Sequence, residues 1–127
     1  MKKKNIKKTI LLTLGIISIF SITALASSGS AYIKNQSLYY YNTPSSGRGN
    51  AVTEWSSSRN SVYLGAKLES VHKQSNGDLA YTYEGFTIDS VAAGVTASKS
   101  VYGWSSTHSV FEGGVNIFED TLWANGK

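Results

Sequence analysis

Apolar and polar residues alternate along most of the chain beyond residue 26, and a period of two is typical of β-strands with one buried face. The clearest example is the segment 61–73. One side of this segment collects Val62, Leu64, Ala66 and Leu68. No convincing helical period competes with this pattern, so the sequence predicts strands for the body of the protein.

The same alternation predicts the other strands. They are the segments 31–41, 50–56, a return strand after Asn76-Gly77, 91–101, 107–112 and 115–123. The only proline lies in the loop 43–49, where its missing N–H interrupts no strand pairing. Short strands with glycine, asparagine and serine between them predict an all-β protein, an antiparallel β-sandwich of about seven strands.

Asn76-Gly77 is the strongest turn signal in the chain, because this pair tolerates positive φ at both central positions of a type I′ hairpin. A two-residue turn sets Ser75 opposite Asp78 and gathers the apolar side chains of both strands on one face. In this register Glu69 faces Glu84, and Lys67 can offset the small repulsion between the two carboxylates. The predicted pairs are Gln74/Leu79, His72/Tyr81, Ser70/Tyr83, Leu68/Gly85 and Glu69/Glu84.

The first 26 residues follow a different pattern. Five lysines within residues 1–8 precede an apolar run over residues 10–25, and the triplet Ala24-Leu25-Ala26 has the small residues of a cleavage site. We predict a signal-peptide helix over residues 1–26, cleaved between Ala26 and Ser27, and a single β-sandwich domain over 27–127. An uncleaved membrane anchor is the competing interpretation, but the run is shorter than the roughly 20 apolar residues of a spanning helix.

Cleavage changes the charge of the protein. The leader carries five of the twelve basic residues and no acidic one, which leaves seven basic against eight acidic side chains, a formal net charge of −1. Nucleic-acid and anionic-membrane binding usually show as clustered lysine and arginine, so neither partner is expected. We expect a secreted protein, extracellular or cell-wall associated, with no stable membrane anchor after cleavage.

The chain contains no cysteine. This excludes disulfides, zinc–thiolate sites, iron–sulfur clusters and cysteine nucleophiles. An exported domain of this size must therefore be held together by its core or by a partner. No cofactor is predicted.

Catalytic patterns are weak. Glu54 and Glu84 are the carboxylates to consider for a glycosidase pair, and each adjoins an aromatic residue. Neighbours in a strand face opposite ways, however, so this adjacency does not indicate a shared site. The chain has no G-x-S-x-G elbow and no phosphate-binding glycine loop. We expect a protein that is not an enzyme.

Metal-binding patterns are equally sparse. His108 and Glu112 share a strand face but lack a third ligand, so we predict a cross-strand hydrogen bond from His108 to Glu119 and no metal site. A calcium site has no supporting repeat or EF-hand spacing. Its candidate oxygen ligands are Asp78, Asp89, Glu119 and Asp120.

Aromatic residues are the remaining signal for function. The tyrosines at positions 39, 40 and 41 are consecutive, so in a strand they cannot all face one core. Exposed tyrosine and tryptophan rings stack on sugars and anchor protein interfaces. We take Tyr39, Tyr41, Trp55 and Trp104 as candidate ligand-binding residues. In the competing interpretation, Tyr40 alone is exposed and has no function.

The segment 97–110, ASKSVYGWSSTHSV, together with the tyrosine-rich start and the leader, resembles small exported all-β proteins of Gram-positive bacteria. Mature size, absence of cysteine and richness in serine, tyrosine and tryptophan are similar to lactococcin-type β-sandwich bacteriocins. The likeness lies in composition and layout and transfers no functional residue. The sequence thus predicts a binding protein for a cell-envelope glycan or surface protein, with a bacteriocin-like antagonist of competing bacteria as the alternative.

Overall fold

The computed structural model describes residues 27–45 and 47–126. These residues form eight strands and no helix, which confirms the all-β prediction for this part of the chain. The predicted leader, with Ala24 and Ala26, lies outside the described residues, and Ser27 is the first residue of the first strand. Within residues 27–45 and 47–126 no helix is long and apolar enough to span a membrane.

The strands form two four-stranded antiparallel sheets that pack on each other in a sandwich-like arrangement. Sheet I has the order β1-β2-β3-β6, and sheet II has the order β5-β4-β7-β8. The strand bounds are β1 Ser27–Ile33, β2 Gln36–Asn42, β3 Arg48–Trp55, β4 Val62–Lys73, β5 Leu79–Asp89, β6 Ala92–Ser98, β7 Gly103–Glu112 and β8 Val115–Asn125.

Eight strands replace the predicted seven because the segment 31–41 contains a turn. Ile33 pairs with Gln36, and the two residues between them, Lys34 and Asn35, have φ of 51° and 62°. Positive φ at both positions is the requirement of a type I′ turn. Asparagine adopts this conformation readily but lysine does not, so Lys34-Asn35 is a weak signal in the sequence.

Asn76-Gly77 does form a hairpin, but not the predicted one. Of these two residues only Gly77 has a positive φ, 95°, and Gln74 N donates to the carbonyl of Asp78 at 2.8 Å. The loop therefore has three residues, and Lys73 pairs with Leu79. The predicted pairs Gln74/Leu79, His72/Tyr81 and Ser70/Tyr83 are each wrong by one residue.

A β-bulge returns the hairpin to the predicted register. The shift lies next to Leu68, which pairs with Gly85 as predicted, whereas Glu69 pairs with Tyr83 and leaves Glu84 as the extra residue. The like-charged Glu69/Glu84 pair is thereby avoided. The Glu84 carboxylate instead accepts hydrogen bonds from Ser70 Oγ at 2.6 Å and Lys99 Nζ at 2.7 Å.

The core lies between the sheets. The inward side of β4 is the predicted row Val62, Leu64, Ala66 and Leu68, and all four side chains are buried. Aromatic rings from both sheets complete the core, with small residues between them. They are Tyr40 and Trp55 from sheet I and Trp104 from sheet II.

Gly49 on β3 lies directly beneath the indole of Trp104, and any side chain at this position would overlap the ring. We expect Gly49→Ala to lower the free energy of unfolding by about 1–3 kcal/mol, the usual cost of overpacking a core. Gly94→Ala is the matched control in sheet I, because its added methyl group would meet its nearest atom at 3.7 Å, an ordinary contact. Urea denaturation of the purified variants measures both. Equal stability of the two variants would contradict this packing.

Candidate functional site

Tyr39 and Tyr41 lie on the outer face of sheet I, side by side along β2, while Tyr40 between them points into the core. The interpretation with Tyr40 alone exposed is therefore wrong. Tyr32 on β1 pairs with Ser37 and so lies diagonally next to Tyr39 on the same face. Tyr32 is exposed, and the other two outer rings are half-buried. We call Tyr32, Tyr39 and Tyr41 the tyrosine strip.

Small hydroxyl side chains and one carboxylate flank the tyrosine strip. Tyr41 pairs with Ser28 and Tyr39 pairs with Ser30 on β1, and on the other side Tyr39 pairs with Glu54 on β3. Burial, and then the Glu54 carboxylate, raise the pKa of Tyr41. The Tyr41 hydroxyl therefore remains a donor at neutral pH. The strip combines ring faces, hydroxyl groups and one acceptor carboxylate on an otherwise small-residue surface.

The two tryptophans predicted as ligand-binding residues do not lie on this surface. Trp55 is buried on the inward side of β3, where its Nε1 donates to the carbonyl of Ser90 at 2.9 Å. Trp104 has no solvent exposure. The expectation of exposed rings is therefore wrong for both residues. For Trp55 the sequence did contain a signal of burial. Its side chain lies on the same side of β3 as Ala51 and Thr53, which are also buried.

His108 is buried in the core and does not bond to Glu119 as predicted. Its Nδ1 lies 2.8 Å from Thr53 Oγ1, and its Nε2 lies 2.8 Å from Ser106 Oγ. Burial lowers the pKa of His108 to about 4. A hydrogen bond with the backbone of Val52 raises this pKa, but by less than burial lowers it. The imidazole is thus neutral at physiological pH.

The carboxylates considered for catalysis and calcium binding lie apart. Glu54 is on the outer face of sheet I, whereas Glu84 belongs to sheet II, where hydrogen bonds from Lys99 and Ser70 lower its pKa. The calcium candidates have separate partners. Asp78 accepts a hydrogen bond from Asn76, Asp89 from Ser90 N, Glu119 from Asn116, and Asp120 from the Tyr40 hydroxyl. In residues 27–45 and 47–126 no group of three or more acidic or histidine side chains is arranged to hold a metal ion.

The outer face of sheet II carries a second, more apolar surface that the sequence analysis missed. Five alternate side chains of the edge strand β5 point outward there, in phase on both sides of the bulge at Glu84. We call this surface the apolar face. Its members are Leu79, Tyr81, Tyr83, Phe86 and Ile88 on β5, Tyr63 on β4, Phe111 on β7 and Trp123 on β8.

Aromatic rings of the apolar face pack directly on sheet II at two glycines. Phe86 and Phe111 meet edge to face, with ring centroids 6.4 Å apart, above Gly65. Trp123 covers Gly103 at another part of the face. Each glycine lets a ring lie on the sheet where a side chain would hold it off. Phe86 and Trp123 thus pack on the sheet and still remain 42 % and 37 % exposed.

No protein-family model, no curated protein and no solved structure matches the chain.

Proposed function

We propose that the mature protein is an exported, non-enzymatic binding protein that recognises a cell-envelope glycan through the tyrosine strip. The observation that carries this proposal is the presence of three outward tyrosines, Tyr32, Tyr39 and Tyr41, in adjoining positions on one sheet face. Their neighbours are serines and Glu54.

The chemistry of the strip suits a sugar polymer. Tyrosine offers an apolar ring face with a polar end, which matches the mixed surface of a pyranose ring. Half-burial of Tyr39 and Tyr41 restricts their rotamers before binding, and this reduces the entropy lost when a ligand is bound. Serine hydroxyls and the Glu54 carboxylate supply hydrogen-bonding partners for sugar hydroxyls.

A surface protein fits the strip less well. Protein interfaces have a water-excluded apolar centre, and apolar side chains other than the tyrosine rings are few on this face. The closest is Val52, which pairs with Tyr41 on one side and Gly94 on the other. The surface is thus narrow and polar at its margins, as expected for a polysaccharide chain.

We expect the double variant Tyr39→Ser/Tyr41→Ser to lose about tenfold or more in affinity for purified cell-wall polysaccharide, because two stacking rings each contribute about 1 kcal/mol. Tyr39→Phe/Tyr41→Phe should retain most of the binding, since the ring faces remain. Co-sedimentation of the mature protein with insoluble wall material measures the affinity. Tyr102→Ser is the control, because this exposed tyrosine lies outside the strip.

Three results would contradict the proposal, the first from co-sedimentation and the other two from separate glycan-release and growth assays. Undiminished binding by the serine variant would show that the strip is not the site. Release of glycan fragments, abolished in Glu54→Gln, would indicate a hydrolase. Growth inhibition of related strains by the purified protein would indicate the secreted antagonist, whereas binding without inhibition supports a wall-binding role.

A further inference from the structure

We infer that the apolar face of sheet II is the interface of a two-fold symmetric dimer, with a second copy of this chain as its occupant. This inference concerns the opposite sheet from the tyrosine strip and does not depend on the proposed function. It rests on the exposed area, the distribution of charge and the composition of the core.

The exposed area is that of a protein interface. Seven side chains of the face are 37–62 % exposed: Tyr63, Leu79, Tyr81, Tyr83, Phe86, Ile88 and Trp123. Taking about 150–250 Å² for each large side chain, these fractions leave roughly 500–800 Å² of residue surface open, tyrosine hydroxyls included. A stable dimer buries about 800 Å² on each partner, and monomers rarely expose an apolar patch above about 600 Å².

Two opposite charges in the middle of β4 can pair across a two-fold axis. Lys67 and Glu69 lie beside the apolar column on β4, with Nζ and Oε2 3.7 Å apart and both side chains partly exposed. A two-fold axis between these residues would set Lys67 of each copy opposite Glu69 of the other. The same pair in isolation is a weak, partly solvated ion pair.

Other occupants fit less well. A lipid surface attracts proteins through basic clusters, and the mature chain has a net charge of −1. A polysaccharide gains little from aliphatic side chains such as Leu79 and Ile88, which have no ring to stack on a sugar. Aliphatic and aromatic groups together are typical of the centre of a protein–protein interface.

The core gives a further reason for association. Many of its buried positions hold small or polar residues, and the chain has no disulfide. They include Ala31, Asn42, Ala51, Thr53, Ala66, Ser70, Ala93, Ser106 and Ala124. Burial of the apolar face in a dimer would remove from water the large side chains that the single copy leaves open.

Sedimentation equilibrium of the mature protein tests the inference. We expect a reversible dimer, and we expect Tyr81→Lys/Tyr83→Lys to raise its dissociation constant about 30-fold or more, as for central interface residues. Both tyrosines are more than half exposed, so the substitutions leave the core unchanged. Val91→Lys is the matched control, because this exposed apolar residue lies between β5 and β6, outside the face.

A charge exchange tests the symmetry. Lys67→Glu and Glu69→Lys should each weaken the dimer, since two copies then present like charges to each other. Mixing the two variants should restore association as a heterodimer, which native mass spectrometry detects. A monomer at every concentration would overturn the inference, even if it bound vesicles of phosphatidylcholine or wall polysaccharide through this face. Equal weakening by Val91→Lys, or no preference for the heterodimer, would also overturn it.

Discussion

Trp104→Ala is expected to lower the free energy of unfolding by about 3–5 kcal/mol, the usual cost of removing a buried aromatic side chain from a core. Trp104 has no solvent exposure and lies against Gly49 and between the two sheets. A loss of this size is a large fraction of the 5–15 kcal/mol that stabilises a typical domain. Urea denaturation followed by circular dichroism measures it.

Two further variants distinguish the loss of the Trp104 ring from a non-specific disruption of the core. Trp104→Phe should cost much less, because it keeps most of the ring and removes an indole N–H that has no acceptor among the described residues. Gly49→Ala should cost little in the Trp104→Ala background, where the ring that it would overlap is gone. A loss below about 1 kcal/mol for Trp104→Ala, or full additivity with Gly49→Ala, would contradict the structure.

Acidification is expected to destabilise the protein between pH 6.5 and about 4 through His108. Burial lowers the pKa of His108 to about 4 in the folded protein, below the ordinary value of 6.5 expected in the unfolded chain. The unfolded state therefore binds more protons in this range, and the free energy of unfolding falls by about 1.4 kcal/mol per pH unit. The total loss is about 3 kcal/mol.

The surroundings of His108 define the controls for this prediction. The ring packs 5.1 Å from that of Tyr40, whose hydroxyl donates to Asp120, the cross-strand partner of His108. Glu84, whose pKa is lowered, adds its own loss only below about pH 4.5. His108→Gln should flatten the pH dependence above that point, and His72→Gln should not.

Nuclear magnetic resonance gives a second test that requires no substitution. The imidazole signals of His108 should remain those of the neutral ring until the pH approaches 4. Protonation near pH 6.5 in the folded protein, or an unchanged stability slope in a folded His108→Gln variant, would show that His108 does not cause the acid sensitivity.

The strands were predictable from the sequence where one side of the strand is buried and its apolar residues alternate regularly with polar ones. The row from Val62 to Leu68 alternates without interruption, and burial confirms each of its apolar residues. The break between the predicted segments 107–112 and 115–123 was also correct, because Gly113 and Gly114 have positive φ in a two-residue turn between Glu112 and Val115. The alternation of apolar residues and the turn preference of glycine depend only on neighbouring residues, so both can be recognised in the sequence.

The hairpin register was not predictable to the residue, and this error hid the apolar face. The predicted two-residue turn placed Tyr81 and Tyr83 on the same side as Leu68, toward the core. The three-residue loop moves the pairing by one residue and turns both tyrosines outward, because a one-residue shift exchanges the faces of a strand. The bulge at Glu84 then restores the register for Phe86 and Ile88.

The candidate site was half predictable for a related reason. Three consecutive tyrosines guarantee that one ring differs from its neighbours, but not which face of the sheet is the core. The packing of Tyr40 against His108 and Phe118 decides this, and those residues are distant in the sequence. Trp104 was misplaced because its burial depends on Gly49, which belongs to the other sheet.

The two outer faces point in opposite directions, and this sets the geometry of the proposed dimer. A dimer joined through sheet II would carry its two tyrosine strips on its far sides, pointing away from each other. With the glycan binding proposed above, one such dimer would attach to two polymer strands at once and cross-link them. Two weak attachments joined in this way commonly exceed the strength of a single one by about 10²–10⁴-fold, without any additional contact.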